Sequence, residues 1–406
     1  MLKRVGLILL FIAVTIGFGY MLYRVIFGAP EAPPIEQPPG EVVNVPPTGL
    51  PPSQPGLPPT GEPGVDVGLP EVPTGAAEVA DGGLTQVSPV SNLPTQNATV
   101  SASGELNYYN RADGKFYRLM ENGVVKSLSE QTFFNVDEAT FAPSGDQAIL
   151  EYPDGSNIFY DFINDRQVTL PRHWEEFDFS PTGGNIAAKS IGIDPDNRFL
   201  IVANPDGSSA VPIQELGENA DEVIVDWSPN NQIIATATTG RTLDLDRHEV
   251  YFIGQNHENF RSLIVEGLNF QPKWSPSGEQ LLYSSASNLS DWRPSLWVVD
   301  ASGDDIGLNR RMLNVETWAD KCTFEGTTTL YCAVPQDLPR GAGLQPRIAD
   351  SIPDDIVRID LTTGLQTMVA VPEGSHTVDT IAVSPDGGSL YFTDKGTGIL
   401  NEIKLK

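Results

Sequence analysis

Histidine and cysteine are almost missing from this chain, at four and two residues in 406. His173, His248, His257 and His376 are scattered, and two cysteines cannot build a zinc site of the usual kinds. Basic residues are scarce too. Twenty-five Lys and Arg stand against 53 Asp and Glu, a formal net charge of −28. Phosphate backbones would be repelled by such a surface, so nucleic acid is not an expected partner. The signatures of chemistry are also lacking. There is no Gly-x-Ser-x-Gly nucleophile elbow and no glycine-rich phosphate loop between a strand and a helix. Asp194, Asp196 and Asn197 share one stretch, Asp244 and Asp246 another, but neither has the glycine and terminal Glu of a calcium loop. They read as solvated turn residues, and no metal or cofactor is expected.

One long apolar run is present. Val5 to Tyr23 is 19 residues without a charge, close to the roughly 20 a helix needs to cross a bilayer. Lys3 and Arg4 precede it, which favours a cytoplasmic N-terminus and an outward remainder; Arg24 can snorkel at the far end. A cleaved signal peptide is the competing reading. Its apolar core would be shorter, about 7 to 15 residues, and the exit Phe27-Gly28-Ala29-Pro30 is poor cleavage context. Residues 1–28 are therefore expected to be a signal-anchor helix that contacts the cell membrane through residues 5–23. Residues 29–83 follow as a distinct block. Fifteen of the 34 prolines lie between Pro30 and Pro73, and no Lys or Arg occurs between Arg24 and Arg111. Such a composition suits an extended, disordered spacer that carries the domain outward.

Residues 84–406 are built on a repeat. Phe179-Ser180-Pro181-Thr182-Gly183, Trp227-Ser228-Pro229-Asn230-Asn231, Trp274-Ser275-Pro276-Ser277-Gly278 and Val383-Ser384-Pro385-Asp386-Gly387 match well, and Phe141-Ala142-Pro143-Ser144-Gly145 differs at one place. Proline presets the first corner and glycine accepts the left-handed conformation from which a new strand starts. Hairpins recurring every 40 to 60 residues or so predict a β-propeller. Degenerate turns at Val100–Gly104 and Thr323–Gly326 bring the count to seven blades of about 45 residues. Six is the alternative, if the first motif belongs to the closing blade. The last blade lacks a fourth strand, and Gly83–Ser88 is expected to supply it and seal the ring.

The repeats resemble the WD-like β-propeller repeat of the TolB type, an aromatic followed by Ser-Pro-Asp-Gly and an apolar strand. The resemblance covers most of residues 95–406 and implies the fold. No blade ends in Trp-Asp, and an anchor and stalk stand where the TolB propeller has an additional α/β domain, so TolB's partners do not carry over.

Large aromatics before the turns (Phe141, Phe179, Trp227, Trp274) read as packing between blades. The better functional lead is a set of long loops between second and third strands, at 191–197, 239–248, 287–294 and 335–354. With their strand ends they carry Arg198, Arg241, Arg247, Arg293, Arg340 and Arg347, six of the 16 arginines, plus Trp292. Arg and Trp are enriched at binding hot spots, although loops are also simply where insertions are tolerated. The expected role is binding of a protein or glycan at the cell envelope, without chemistry of its own. The alternatives are a propeller hydrolase or lyase acting on polysaccharide or peptide, and a purely structural envelope spacer. Finally, Cys322 and Cys332 flank the worn sixth turn. With Glu325–Thr329 as the loop they lie opposite one another, within disulfide reach. A tighter Gly326-Thr327 turn would instead leave two free, buried thiols.

Overall fold

The computed structural model describes residues 75–406 apart from Glu121 and Leu245, together with the isolated Gly17. The expected membrane span at 5–23 and nearly all of the expected stalk lie outside the described residues. Among the described residues no helix is long and apolar enough to cross a membrane.

Seven antiparallel sheets follow one another, which makes the fold all-β and the blade count seven. Blade 1 is Thr95–Val100, Leu106–Asn110, Lys115–Leu119 and Val125–Ser127, and the second blade begins at Glu138–Phe141. The worn first motif is thus a blade of its own.

The repeated turn works as its residues imply. Gly145, Gly183, Gly278 and Gly387 have φ between 62° and 74°. Each donates its N–H to the carbonyl three residues earlier, at 2.7–2.8 Å. Asn231 takes the same place in blade 4 with φ 62°, since asparagine tolerates the left-handed region. The recurrent serine has its own reason. Ser180, Ser228, Ser275 and Ser384 each accept, through Oγ, the N–H of the residue five positions on, at 2.9–3.1 Å. One hydroxyl thus satisfies a donor where the second strand begins. Phe141, Phe179, Trp227 and Trp274 are all buried, in agreement with a packing role.

Two features depart from simple repetition. In blade 4, residues 239–248 are not an open loop: Thr242–Asp244 folds back on the start of Arg247–Ile253, Leu263–Glu266 pairs with the other edge of that same stretch, and Ala235–Ala237 pairs with its far end. Closure is also shared between two blades. Ser88–Pro89 pairs antiparallel with Leu400–Lys404 of blade 7, as expected, whereas Leu84–Thr85 runs parallel to Gln366–Pro372 of blade 6. Contacts begin earlier still, with Ala77 bridging Thr85 and the Ala80 N–H donating to the Lys404 carbonyl at 2.9 Å.

Cys322 and Cys332 are Cα partners in blade 6 and form a disulfide. Glu325 pairs with Thr329, which leaves Gly326-Thr327-Thr328 as the turn and keeps both sulfurs on one face.

Candidate functional site: the long-loop face and the inner strands

Strands alternate direction, so loops after the second and fourth strands of every blade leave at one end of the ring. Three of the four long loops there are tied into local structure. Asp194 caps the short turn Pro195–Asn197. Ser287 and Ser290 form a reciprocal cap around Asn288–Ser290, and Asp291 and Trp292 then both adopt left-handed φ, 53° and 59°. For a residue as bulky as tryptophan that conformation is a local strain of order 1 kcal/mol, held by its surroundings. Insertion 335–354 packs Leu338, Ala342 and Ala349 around Trp318, and Lys321 pairs with Asp354 at its base, both buried.

The loops of blades 5 and 6 are fused. Gly341 and Gly343 donate to the carbonyls of Asp291 and Trp292 at 3.0 and 2.8 Å, and Asn269 Nδ2 donates to the Gly343 carbonyl at 2.8 Å. A side chain at 343 would put Cβ 2.4 Å from Ala286 Cβ and 2.9 Å from the Trp292 carbonyl, so only glycine permits this approach. The platform exposes aliphatic side chains: Leu289 is 87 % accessible, and Leu344 and Ile348 are also exposed. Ile193, at the tip of the blade 3 loop, is fully exposed, and Leu243 projects from the blade 4 hairpin.

The arginines expected here are mostly engaged. Arg198 donates to the carbonyls of Gly192 and Gly217; Arg241 pairs with Glu249, Arg247 with Asp244, Arg293 with Glu316 and Arg340 with Asp291. Arg347 is exposed and forms no ion pair among the described residues. Arg340 bridges two blades, while Arg198, Arg241 and Arg247 stay with partners in their own blades. The face is therefore apolar at its tips, with its arginines compensated except Arg347. The aliphatic tips are single residues without a pattern in sequence, so only the insertions themselves pointed to the face.

Sequence reasoning missed a second constellation, on the inner strands around the channel. The residue before the motif aromatic reaches toward the next blade. Asp178 accepts the N–H of Trp227 at 2.6 Å and that of Phe179 at 2.8 Å, and Lys273 Nζ donates to the Cys322 carbonyl at 2.5 Å. Burial pushes the Asp178 carboxyl up to about 6, with those two amides pulling it down. Burial, and then the Asp178 charge, raise Asp226 well above the ordinary range, with Lys273 opposing. Nearby, Glu138 and Glu151 are cross-strand partners. Burial and the Glu138 charge push the Glu151 carboxyl up to about 7. Glu176 is held by Lys189 at 2.6 Å. The signal was available: the same repeat position holds Thr140, Asp178, Asp226, Lys273 and Thr323. Among the described residues no three His, Cys, Asp or Glu side chains converge as a metal site would require. Asp194 and Asp244, the carboxylates weighed for calcium, cap a turn and pair with an arginine.

The chain matches no protein-family model and no curated protein. Solved structures do match it. An oligogalacturonate lyase in complex with manganese aligns with TM-score 0.54 at 15 % identity over 79 % of this chain and 93 % of that one. An oligogalacturonate lyase from Vibrio parahaemolyticus gives 0.53 at 10 % over 78 % and 93 %. Hydrazine synthase from Kuenenia stuttgartiensis gives 0.52 at 13 % over 77 % and 96 %. At such identities the likeness is one of fold.

Proposed function

We propose that this chain is a membrane-anchored, extracytoplasmic β-propeller that binds a protein partner through its long-loop face. The fused platform of blades 5 and 6 carries the reading, because it holds Leu289, Leu344 and Ile348 in solvent on ordered backbone. Grouped apolar exposure on a soluble fold marks interaction surfaces, whereas single exposed residues, such as Ile163 and Leu365 at turns of the opposite face, are ordinary. Aliphatic tips suit a protein better than a glycan. The anchor and the outward orientation rest on the run 5–23 and its Lys3/Arg4 flank.

Replacing Ile193, Leu289 and Ile348 together by Asn tests the face. Proteins that co-purify with the full-length chain are expected to fall by about tenfold, with thermal unfolding nearly unchanged, since exposed substitutions shift stability by only about 0.5 kcal/mol. An unaltered set of bound proteins would overturn the assignment.

A lyase or hydrolase is the second reading, favoured by the inner carboxylates: a group near neutrality is what proton transfer needs. Two observations weigh against it. Both Asp178 oxygens are occupied by backbone amides, one from the adjacent Phe179 and one from Trp227 of the next blade. The inner strands also begin with Glu138, Glu175 and Glu222 close by, and these would repel a polyanion such as oligogalacturonate. Cleavage of that oligosaccharide by the purified chain would restore the enzyme reading.

A further inference from the structure

Beside the platform lies a groove of about 490 Å³ between blades 4 and 5. Its floor is apolar, made by Ile224, Leu268 and Phe270, and Leu268 is 48 % exposed there with nothing packed over it among the described residues. Its walls are fixed. Gly267 donates to the Asp246 carbonyl at 2.6 Å and ties the blade 4 hairpin to the start of blade 5, while Asn269 binds the blade 6 insertion through Gly343. The rim is charged with one sign in excess: Asp221, Glu222, Asp244 and Asp246 face a single guanidinium, Arg247, which Asp244 already holds at 2.6 Å. His248 adds little to offset them, because burial pulls its imidazole below the ordinary value, with the Glu222 charge opposing.

An apolar floor under an uncompensated anionic rim suits a long aliphatic stem ending in a cation, the shape of a lysine or arginine side chain. We propose that this groove receives a lysine or arginine from the partner segment, whose apolar neighbours rest on Leu268 and on the platform. The partner is thus a protein segment with a basic residue between aliphatic ones. This rests on the reading of the long-loop face as a protein-binding surface and adds what the partner must carry.

The probe is an acetylated, amidated peptide Gly-Leu-Lys-Leu-Gly, compared with the same peptide carrying norleucine in place of lysine. Both are titrated calorimetrically against the full-length chain in detergent at about 20 mM salt, where screening is weak. The lysine peptide is expected to bind at least about fivefold tighter. That advantage should fall severalfold in Asp221→Asn/Asp246→Asn and persist in Asp304→Asn/Asp305→Asn, whose carboxylates lie at the opposite end of blade 5. Equal binding of the two peptides, an advantage that survives Asp221→Asn/Asp246→Asn, or no binding up to about 5 mM, would overturn the proposal. The two readings fail separately. Loss of co-purifying proteins on Ile193/Leu289/Ile348 replacement together with an indifferent groove discards only the lysine socket. Co-purification that survives that replacement discards the face itself.

Discussion

Deleting residues 75–91 leaves a chain that no longer unfolds in a single cooperative transition near its original midpoint. Those residues carry both closing strands and join the first blade to the last two. Their deletion removes backbone bonds from Gly82 to Val369, Val371 to Gly83, Glu373 to Thr85, Ala80 to Lys404 and Val90 to Leu400, each 2.8–2.9 Å. It also removes the Ser91 hydroxyl that accepts the Leu400 N–H and strips Val87 and Ala80 from the apolar cluster of blades 6 and 7. At about 1 kcal/mol per hydrogen bond the loss is about 5 kcal/mol before packing is counted. Total stability for a domain is about 5 to 15 kcal/mol. A permuted chain that starts at residue 92 and carries 75–91 after Lys406 through a short Gly-Ser linker should recover the transition. Urea unfolding followed by tryptophan fluorescence reads both. A deletion variant as stable as the parent would mean that the ring does not depend on these strands.

Cys322→Ser/Cys332→Ser is expected to lower unfolding free energy by about 3 kcal/mol, the chain-entropy value for closing a loop of this length. The two cysteines are ten residues apart, and both side chains are fully buried. The bond staples the hairpin whose turn lacks the proline of the other blades, between the first and second strands of blade 6. Persistence of the bond fits an oxidising compartment. Intact mass after alkylation in denaturant checks it directly, with two alkyl groups added only after reduction. Two groups added without reductant would contradict the bond.

Local chemistry made much of this fold legible in the sequence. A turn such as Trp274–Gly278 encodes its own geometry, and the spacing of Cys322 and Cys332 narrows their register to two choices, of which the structure shows the paired one. Contacts between distant segments leave no such mark. Nothing near Leu84 announces a parallel partner at Val371, so the split of the closing segment between blades 6 and 7 was hidden. Blade 4 was obscured for another reason. Its second strand is only Ala235–Ala237, and the hairpin at Thr242–Asp244 looks like loop because its alternation spans three residues. The arginines were found by type, but type did not reveal that Asp291, Glu316 and Glu249 would stand opposite them. The inner carboxylates could be found by aligning the repeats, since Asp178 and Asp226 occupy one position, although their coupling arises only when blades 3 and 4 meet.

Placement of a photo-activated cross-linking residue at Leu289, and separately at Leu365, tests the docking face most directly. Both side chains are exposed, on opposite ends of the ring. With the full-length chain in intact cells, irradiation should give a discrete protein adduct from position 289 and none from 365. An adduct from 365 alone, or none from 289, would contradict the account.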